Sequence, residues 1–544
     1  MQPDRQPPLS IWLMVLVAIG AALRLWQYLA NTAIWLNEVP VARDILGRSI
    51  WDLLTLPLGN NQVAPKGFLL AEKIAVSMFG PSDYALRLFP LLSSLIALVV
   101  FWRIVVRHLD GLAGLVALAL FSTAIPFVAY ASQVKQYSSD IAVAMLLLWL
   151  ALLLKDSQPS GSCGFRVGIA GAILVWFSQP SVLVACGLSI ALILLALPPR
   201  FLAIPLGLWV ASALAASLVE LASLTSATRT YLHRFWAAGF PPVPLSRIFK
   251  TLWPAHELGW LLGSGAPASL GYPVPALYLV LIVLGFWILW RRDRSLAALL
   301  LAPIGVTFAA AVARQYPFDD RLILFLVPSF FVAIGASVGQ IGRWLGRWSE
   351  LRDWKLGLAM ALAVAAAVYP MAKTPPVYHF EDMKPVLGYL EERRRAGDAV
   401  YIYYGAAPEV TFYSAAFGLR ADSYALGGCH RGDSRRYLEE LDAFRGRPRV
   451  WVLITHGFLY GEGDDIVRYL DTIGLRRDSF VVKSYPQNNA VSDAEVFLYD
   501  LSDPIQLKRT TSQSSAVTWS FSPSVPYPCN EGPTPLPSEI SGNK

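Results

Sequence analysis

Long apolar stretches broken by short polar connectors recur from residue 11 to about residue 371. At roughly twenty residues per crossing, this pattern predicts about eleven membrane helices, starting near Ile11, Tyr84, Gly111, Ile141, Arg166, Ser181, Phe201, Tyr272, Leu296, Leu322 and Leu356. Residues 66–79 are too short to cross and are interrupted by Glu72 and Lys73, which predicts an amphipathic helix lying at the interface. The first apolar run, from Ile11 to about Tyr28, is too long for a signal-peptide core and reads as an uncleaved anchor. From Thr374 the pattern changes. Short β-rich runs at 399–404, 450–455, 480–483 and 496–501 alternate with helical runs at 383–395, 434–444 and 464–470, which predicts a small α/β domain outside the membrane. The expected organisation is a transmembrane domain at 1–373 with a long first outward loop at 31–83, the α/β domain at 374–507, and a Ser/Thr/Pro-rich disordered tail at 508–544.

Composition strengthens the membrane reading. Of 544 residues, 55% are hydrophobic and 15% charged, with mean hydropathy +0.47, where a soluble domain has about 25% charged residues. That balance excludes a soluble enzyme and a disordered scaffold, and the long helical-type runs exclude an outer-membrane barrel. What remains is a polytopic α-helical membrane protein. The net charge of +7 comes from arginines at the ends of spans and does not point to nucleic acid. Arg103, Arg107 and His108, then Lys155 and Arg166, then Arg200, then Arg291, Arg292 and Arg294, then Arg343, Arg347, Arg352 and Lys355 occupy alternate loops. Those loops are expected on the cytoplasmic side, which puts the other loops and the C-terminal domain outward. The four cysteines show no CxxC or ligand spacing, so neither a zinc site nor a disulfide framework is expected.

Candidate chemistry gathers in the outward loops. Glu38 follows directly on Trp35-Leu36-Asn37, just past the first span. A carboxylate at a partly desolvated membrane edge can act as a general base; the competing reading is a helix N-terminal charge ahead of Pro40. Lys135, Gln136, Tyr137 and Asp140 fall where two helices meet, and form either a phosphate-binding group or a capping Lys135–Asp140 ion pair. Arg314 and Arg321 bracket Asp319 and Asp320. They either bind phosphate bidentately or are neutralised locally. Lys66, after Pro65, is a further phosphate candidate. Inside the spans, Arg24 and Glu220 are the main ionisable residues, too few for a polar transport path. His430 and His456 in the outer domain read as structural.

Five segments together carry a resemblance. Trp35-Leu36-Asn37-Glu38, then Gln62-Val63-Ala64-Pro65, then 79–88 (FGPSDYALRL), followed by 133–140 (QVKQYSSD) and 316–322 (YPFDDRL), resemble the GT-C superfamily of integral-membrane glycosyltransferases, in particular bacterial members related to protein O-mannosyltransferases and aminoarabinose transferases. The resemblance implies inverting transfer of a sugar from a polyprenyl-phosphate donor to an acceptor hydroxyl of the cell envelope, at the outer face of the bacterial cytoplasmic membrane. It implies Glu38 or Asp44 as base, and Asn37, Gln62, Lys66, Lys135, Gln136, Tyr137, Asp140, Arg314 and Arg321 as substrate contacts. A divalent ion, Mg or Mn, shared by Asp140 and the first-loop acid is the only cofactor considered. Membrane lipids, the donor and the acceptor are the expected partners. One departure matters: Asn37 stands where the family has its usual Asp base, and Asn cannot accept a proton. Either Glu38 has taken the task, or Asp44 or Asp52 reaches in, or the protein is a noncatalytic relative, such as a lipid-linked saccharide transporter or partner subunit.

Overall fold

The computed structural model describes residues 9–156, 160–263, 268–347, 364–373, 377–431, 433–457, 461–485 and 492–503. The expected tail at 508–544 and the start of the eleventh span at Leu356 lie outside them. The chain divides into two compact units: Met1–Ala30 with Arg48–Val377, and Asn31–Gly47 with Tyr378–Lys544.

The first unit is helical. Seven described helices are long and apolar enough to cross a membrane, or eight if one bent pair counts as a single span; the chain is a multi-pass membrane protein. The expected spans near Arg166 and Ser181 correspond to the shorter apolar helices Gly161–Leu174 and Ser181–Leu194. Ser178-Gln179-Pro180 separates the two, and the backbone does not run helically through it. Tyr137–Asp156 and Asp320–Trp344 are the inner spans, mostly buried, whereas Ser10–Ala30 and Pro199–Ser223 turn most of their surface outward. Where helices touch, small residues let backbones approach: a Cβ on Gly285 would collide with the carbonyl of Ala333 on the neighbouring helix Val327–Arg347.

The bent pair shows how sequence sets shape. Helix Gly111–Thr123 breaks at Ala124 and resumes as Ile125–Ser132, bent by 51°. Pro126 has no N–H to give the Ser122 carbonyl, and its ring presses on that turn. The freed carbonyls are met from another helix. Arg24, fully buried on Leu9–Ala30, donates to Ser122 O (3.1 Å) and Phe121 O (3.3 Å), to its own Gly20 O (2.8 Å) and to Ser94 Oγ (2.8 Å). Ser94 Oγ in turn donates to Phe127 O (3.2 Å), beyond the break.

The second unit is an α/β domain with strands β1 (Ala399–Ile402), β2 (Ala425–Leu426), β3 (Val450–Ile454), β4 (Leu475–Val482) and β5 (Ala494–Asp500) in the order β2-β1-β3-β5-β4. β1 runs parallel to β2 and β3; β5 is antiparallel to β3 and β4. The unbroken apolar run of β3, Val-Trp-Val-Leu-Ile, is buried at every position, as a strand covered on both faces requires. β4 begins earlier than its apolar run predicts, because edge position tolerates Arg476, Arg477 and Asp478. Tyr389 on helix Met383–Arg393 stacks on Phe480 at 4.7 Å between ring centroids. A second expectation is corrected here: Cys429 is disulfide-bonded. Spacing along the chain does not report which cysteines folding brings together.

Replacing Arg24 by Met leaves four acceptors without their donor. At about 1 kcal/mol or more for each unmet buried group, the variant is expected to lower the thermal midpoint of the detergent-solubilised protein by several degrees. An unchanged midpoint would show that the clasp contributes nothing.

Candidate functional site

Lys66 opens the helix Lys66–Phe79. Its side chain is buried, not snorkelling, and Nζ donates to Leu53 O (3.2 Å) at the end of the short helix Ile50–Thr55, whose start is set by a Ser49/Asp52 capping box. Burial lowers the ammonium's pKa, and the Glu220 carboxylate opposes that shift.

Lys66 and Trp176 stand in the common wall of two cavities. The larger, about 610 Å³, is apolar, with Leu54, Leu70, Ile169, Ile173 and Leu208 in its lining. The smaller, about 270 Å³, presents Ser178, Gln179, Ser217 and Glu220. The connector Ser178-Gln179-Pro180 between helices Gly161–Leu174 and Ser181–Leu194 thus supplies polar groups to the small cavity. Gln179 Nε2 donates to Glu220 Oε1 across it.

The other residues expected in the membrane unit fall into neighbouring groups. Lys135 Nζ donates to Gln62 Oε1 (2.6 Å), and Gln62 Nε2 to Asn60 O (3.3 Å), while Thr228 Oγ1 donates to Asn61 Oδ1 (3.2 Å). Asn60 and Asn61 both adopt left-handed backbone, which Asn tolerates better than most residues. Gln136, Tyr137 and Asp140 begin the inner helix Tyr137–Asp156, all buried, and the Asp140 N–H bonds Gln136 O (2.8 Å). Asp140 Oδ1 and both amide atoms of Gln133 are buried without a hydrogen-bond partner among the described residues. Arg321 lies over aromatic faces, 5.0 Å from the Trp236 ring centroid and 6.0 Å from that of Tyr137, and Arg314 lies 5.7 Å from that of Phe240. Neither arginine, nor Lys135, lines either of the two cavities. Burial, then the neighbouring Asp320 charge, pushes the Asp319 carboxyl up to about 7.

Glu38, Asn37 and Asp44 belong to the second unit. Glu38 is buried at the start of helix Val39–Gly47, and its Oε1 accepts from the Trp35 N–H at 3.5 Å. Asn37 and Asp44 are half-buried. The segment before Glu38 has no ladder of its own, so its N–H groups are met by side chains from the far end of the sequence. Asp382 Oδ1 accepts from Ala33 N (2.9 Å), the Tyr413 hydroxyl from Ile34 N (2.8 Å) and Glu409 Oε1 from Leu36 N (2.7 Å). Lys384 Nζ donates to Asn31 O (2.8 Å), Arg43 to Thr411 Oγ1 (2.5 Å), and Trp35 stacks on Phe380 at 5.3 Å. Glu409 is fully buried. That burial, then the charge of Glu381, then those of Asp382 and Glu38, hold its carboxyl well above the usual range. Glu381 receives His456 Nδ1 at 3.0 Å.

Among the described residues, no group of three or more His, Cys, Asp or Glu is placed to hold a metal ion.

Sequence reasoning missed Trp176, Ser178, Gln179 and Ser217, which carry no motif. Glu220 was visible as a carboxylate inside a span, but not as the wall of a cavity. Glu409 had no signal at all, since its partner lies 373 residues away.

No family model matches the chain, and no curated protein does. Among solved structures the chain is similar to ArnT from Cupriavidus metallidurans bound to undecaprenyl phosphate, with TM-score 0.46 and 11% identity over 90% of this chain and 98% of that one. It is also similar to the archaeal oligosaccharyltransferase AglB from Archaeoglobus fulgidus, in complex with an inhibitory peptide and a dolichol-phosphate, with TM-score 0.45 and 12% identity over 91% of this chain and 74% of that one.

Glu409 generates a pH prediction. Unfolded, it ionises in the ordinary carboxylate range; folded, it keeps its proton to higher pH, so the unfolded state binds fewer protons there and stability falls as pH rises toward the folded pKa. Glu409→Gln keeps an oxygen for the Leu36 N–H without the titration. Thermal unfolding at about pH 5 and about pH 8 is expected to show the variant gaining on the parent at the higher pH; parallel profiles would contradict it.

Proposed function

We propose that this protein is a GT-C-type glycosyltransferase that moves a sugar from a polyprenyl-phosphate donor to a hydroxyl of a cell-envelope acceptor, on the outward face of a bacterial cytoplasmic membrane. The observation that carries the reading is Lys66 in the common wall of an apolar and a polar cavity. A lipid-linked phosphate needs an apolar space for its chain, a cation at the phosphate and a polar space for what the phosphate carries. Those three requirements meet at one lysine. In this reading Lys66 holds the donor phosphate, with Lys135 and Gln62 fixing the loop that leads to it.

The reaction is an in-line displacement. The acceptor oxygen forms a bond to the anomeric carbon as the bond to the phosphate oxygen breaks, polyprenyl phosphate leaves with the electron pair, and a carboxylate takes the acceptor proton. The Lys66 ammonium opposes the charge that develops on the departing phosphate. Glu38 is the proposed base on the strength of its motif. The outward placement of the second unit rests on the alternating basic loops and on the Cys429 disulfide, which suits an oxidising compartment. Burial of Glu38 and its bond to the Trp35 N–H favour a second reading, a noncatalytic protein that holds lipid-linked saccharide without transferring it.

Two variants separate these readings. Lys66→Met removes a charge-assisted bond worth about 1.5–3 kcal/mol and is expected to weaken undecaprenyl-phosphate binding by roughly 10–100-fold, measured by scintillation proximity on purified protein. Glu38→Gln is expected to leave that binding intact and to reduce transfer from radiolabelled undecaprenyl-phosphate sugars by about 10²-fold or more. Transfer that survives in Glu38→Gln moves the base elsewhere. Binding without transfer in the parent protein selects the second reading.

A further inference from the structure

A carboxylate within a membrane helix is expensive, and persists where it meets a partner or a ligand. Glu220 sits three residues before the end of helix Pro199–Ser223, within hydrogen-bond reach of Gln179 in the connector between helices Gly161–Leu174 and Ser181–Leu194. Its Oε1 is taken by Gln179 Nε2, which fixes the orientation of the carboxylate. The side chain lines the cavity of about 270 Å³.

We infer that this small cavity is the sugar subsite of the donor, with Glu220 as the residue that accepts hydrogen bonds from the sugar hydroxyls; the inference rests on the lipid-phosphate reading of Lys66. Four observations converge on it. The volume is near the lower end of about 300 Å³ for small-molecule pockets and suits one ring sugar. The cavity adjoins the apolar one through Lys66 and Trp176, so a group attached to a phosphate at Lys66 enters it directly. Ser178, Ser217 and Gln179 add short polar groups to a wall whose other residues, such as Val182 and Ala216, are apolar. Trp176 supplies an aromatic side chain of the kind that pairs an apolar face with a polar tip.

The subsite assigns different work to two neighbouring residues. Lys66 reads the phosphate, which every polyprenyl-phosphate ligand carries. Glu220 reads the sugar, which the bare lipid phosphate lacks. The test compares binding of undecaprenyl phosphate with that of undecaprenyl-phosphoryl hexose to the purified full-length protein in nanodiscs. Glu220→Gln, which preserves size and can still pair with Gln179, is expected to weaken the sugar-bearing lipid tenfold or more while changing the bare lipid phosphate less than twofold. Ser217→Leu, which narrows the cavity while keeping both Lys66 and Glu220 in the chain, is expected to discriminate the same way and guards against a folding defect in the first variant. Equal loss for both lipids, or no loss for either, would overturn the assignment of the cavity to the sugar. If the parent protein binds neither lipid, the lipid-phosphate reading fails and the subsite falls with it.

Discussion

A backbone carbonyl without a donor cannot remain so in an apolar interior, and that constraint organises the membrane unit. Pro126 breaks a helix and releases the carbonyls of Phe121 and Ser122; Arg24 from the first helix binds both. The arginine needs those acceptors as much as they need it, because a guanidinium in a low-dielectric surround is tolerated only when its N–H groups are occupied. The same helix that is bent at Pro126 ends where Gln133, Lys135 and Asp140 begin their polar cluster. The kink and the clasp therefore decide where the chemistry-bearing turn is presented.

The rule recurs wherever a polar group leaves water. Lys135 is answered by Gln62, Glu220 by Gln179, and the Leu36 N–H by Glu409. In the last case the consequence reaches beyond one bond. The segment that leads to Glu38 has no regular structure to absorb its N–H groups, so Asp382, Tyr413 and Glu409 do so. The conformation of the motif-bearing loop is thus a property of the C-terminal domain, and burial, then the charges of Glu381, Asp382 and Glu38, hold the Glu409 carboxyl above its ordinary range. The two cavities follow the same logic in reverse: one has almost no polar wall and suits a lipid chain, while the other keeps polar groups and suits a hydroxylated ligand.

Much of the architecture was legible in the sequence, because periodicity and hydropathy are local quantities. Strand β3 and helix Met383–Arg393 fall where their apolar patterns predict, and the helix at 66–79 has its predicted bounds. The candidate site was legible only as a set of residue types. Lys66 and Lys135 look alike in sequence, and it is burial against Leu53 and the two cavities that distinguishes the first from the second.

By itself, then, the sequence determined the solvent of each part of the chain, the positions of most helices and strands, and the inventory of groups able to hold a phosphate or take a proton. Tertiary structure alone decided which of them meet. The partners of Arg24, Leu36 and Glu220 lie 97, 373 and 41 residues away, and no periodicity extends so far. Which distant donor satisfies which buried acceptor is settled only when the helices and the sheet have packed.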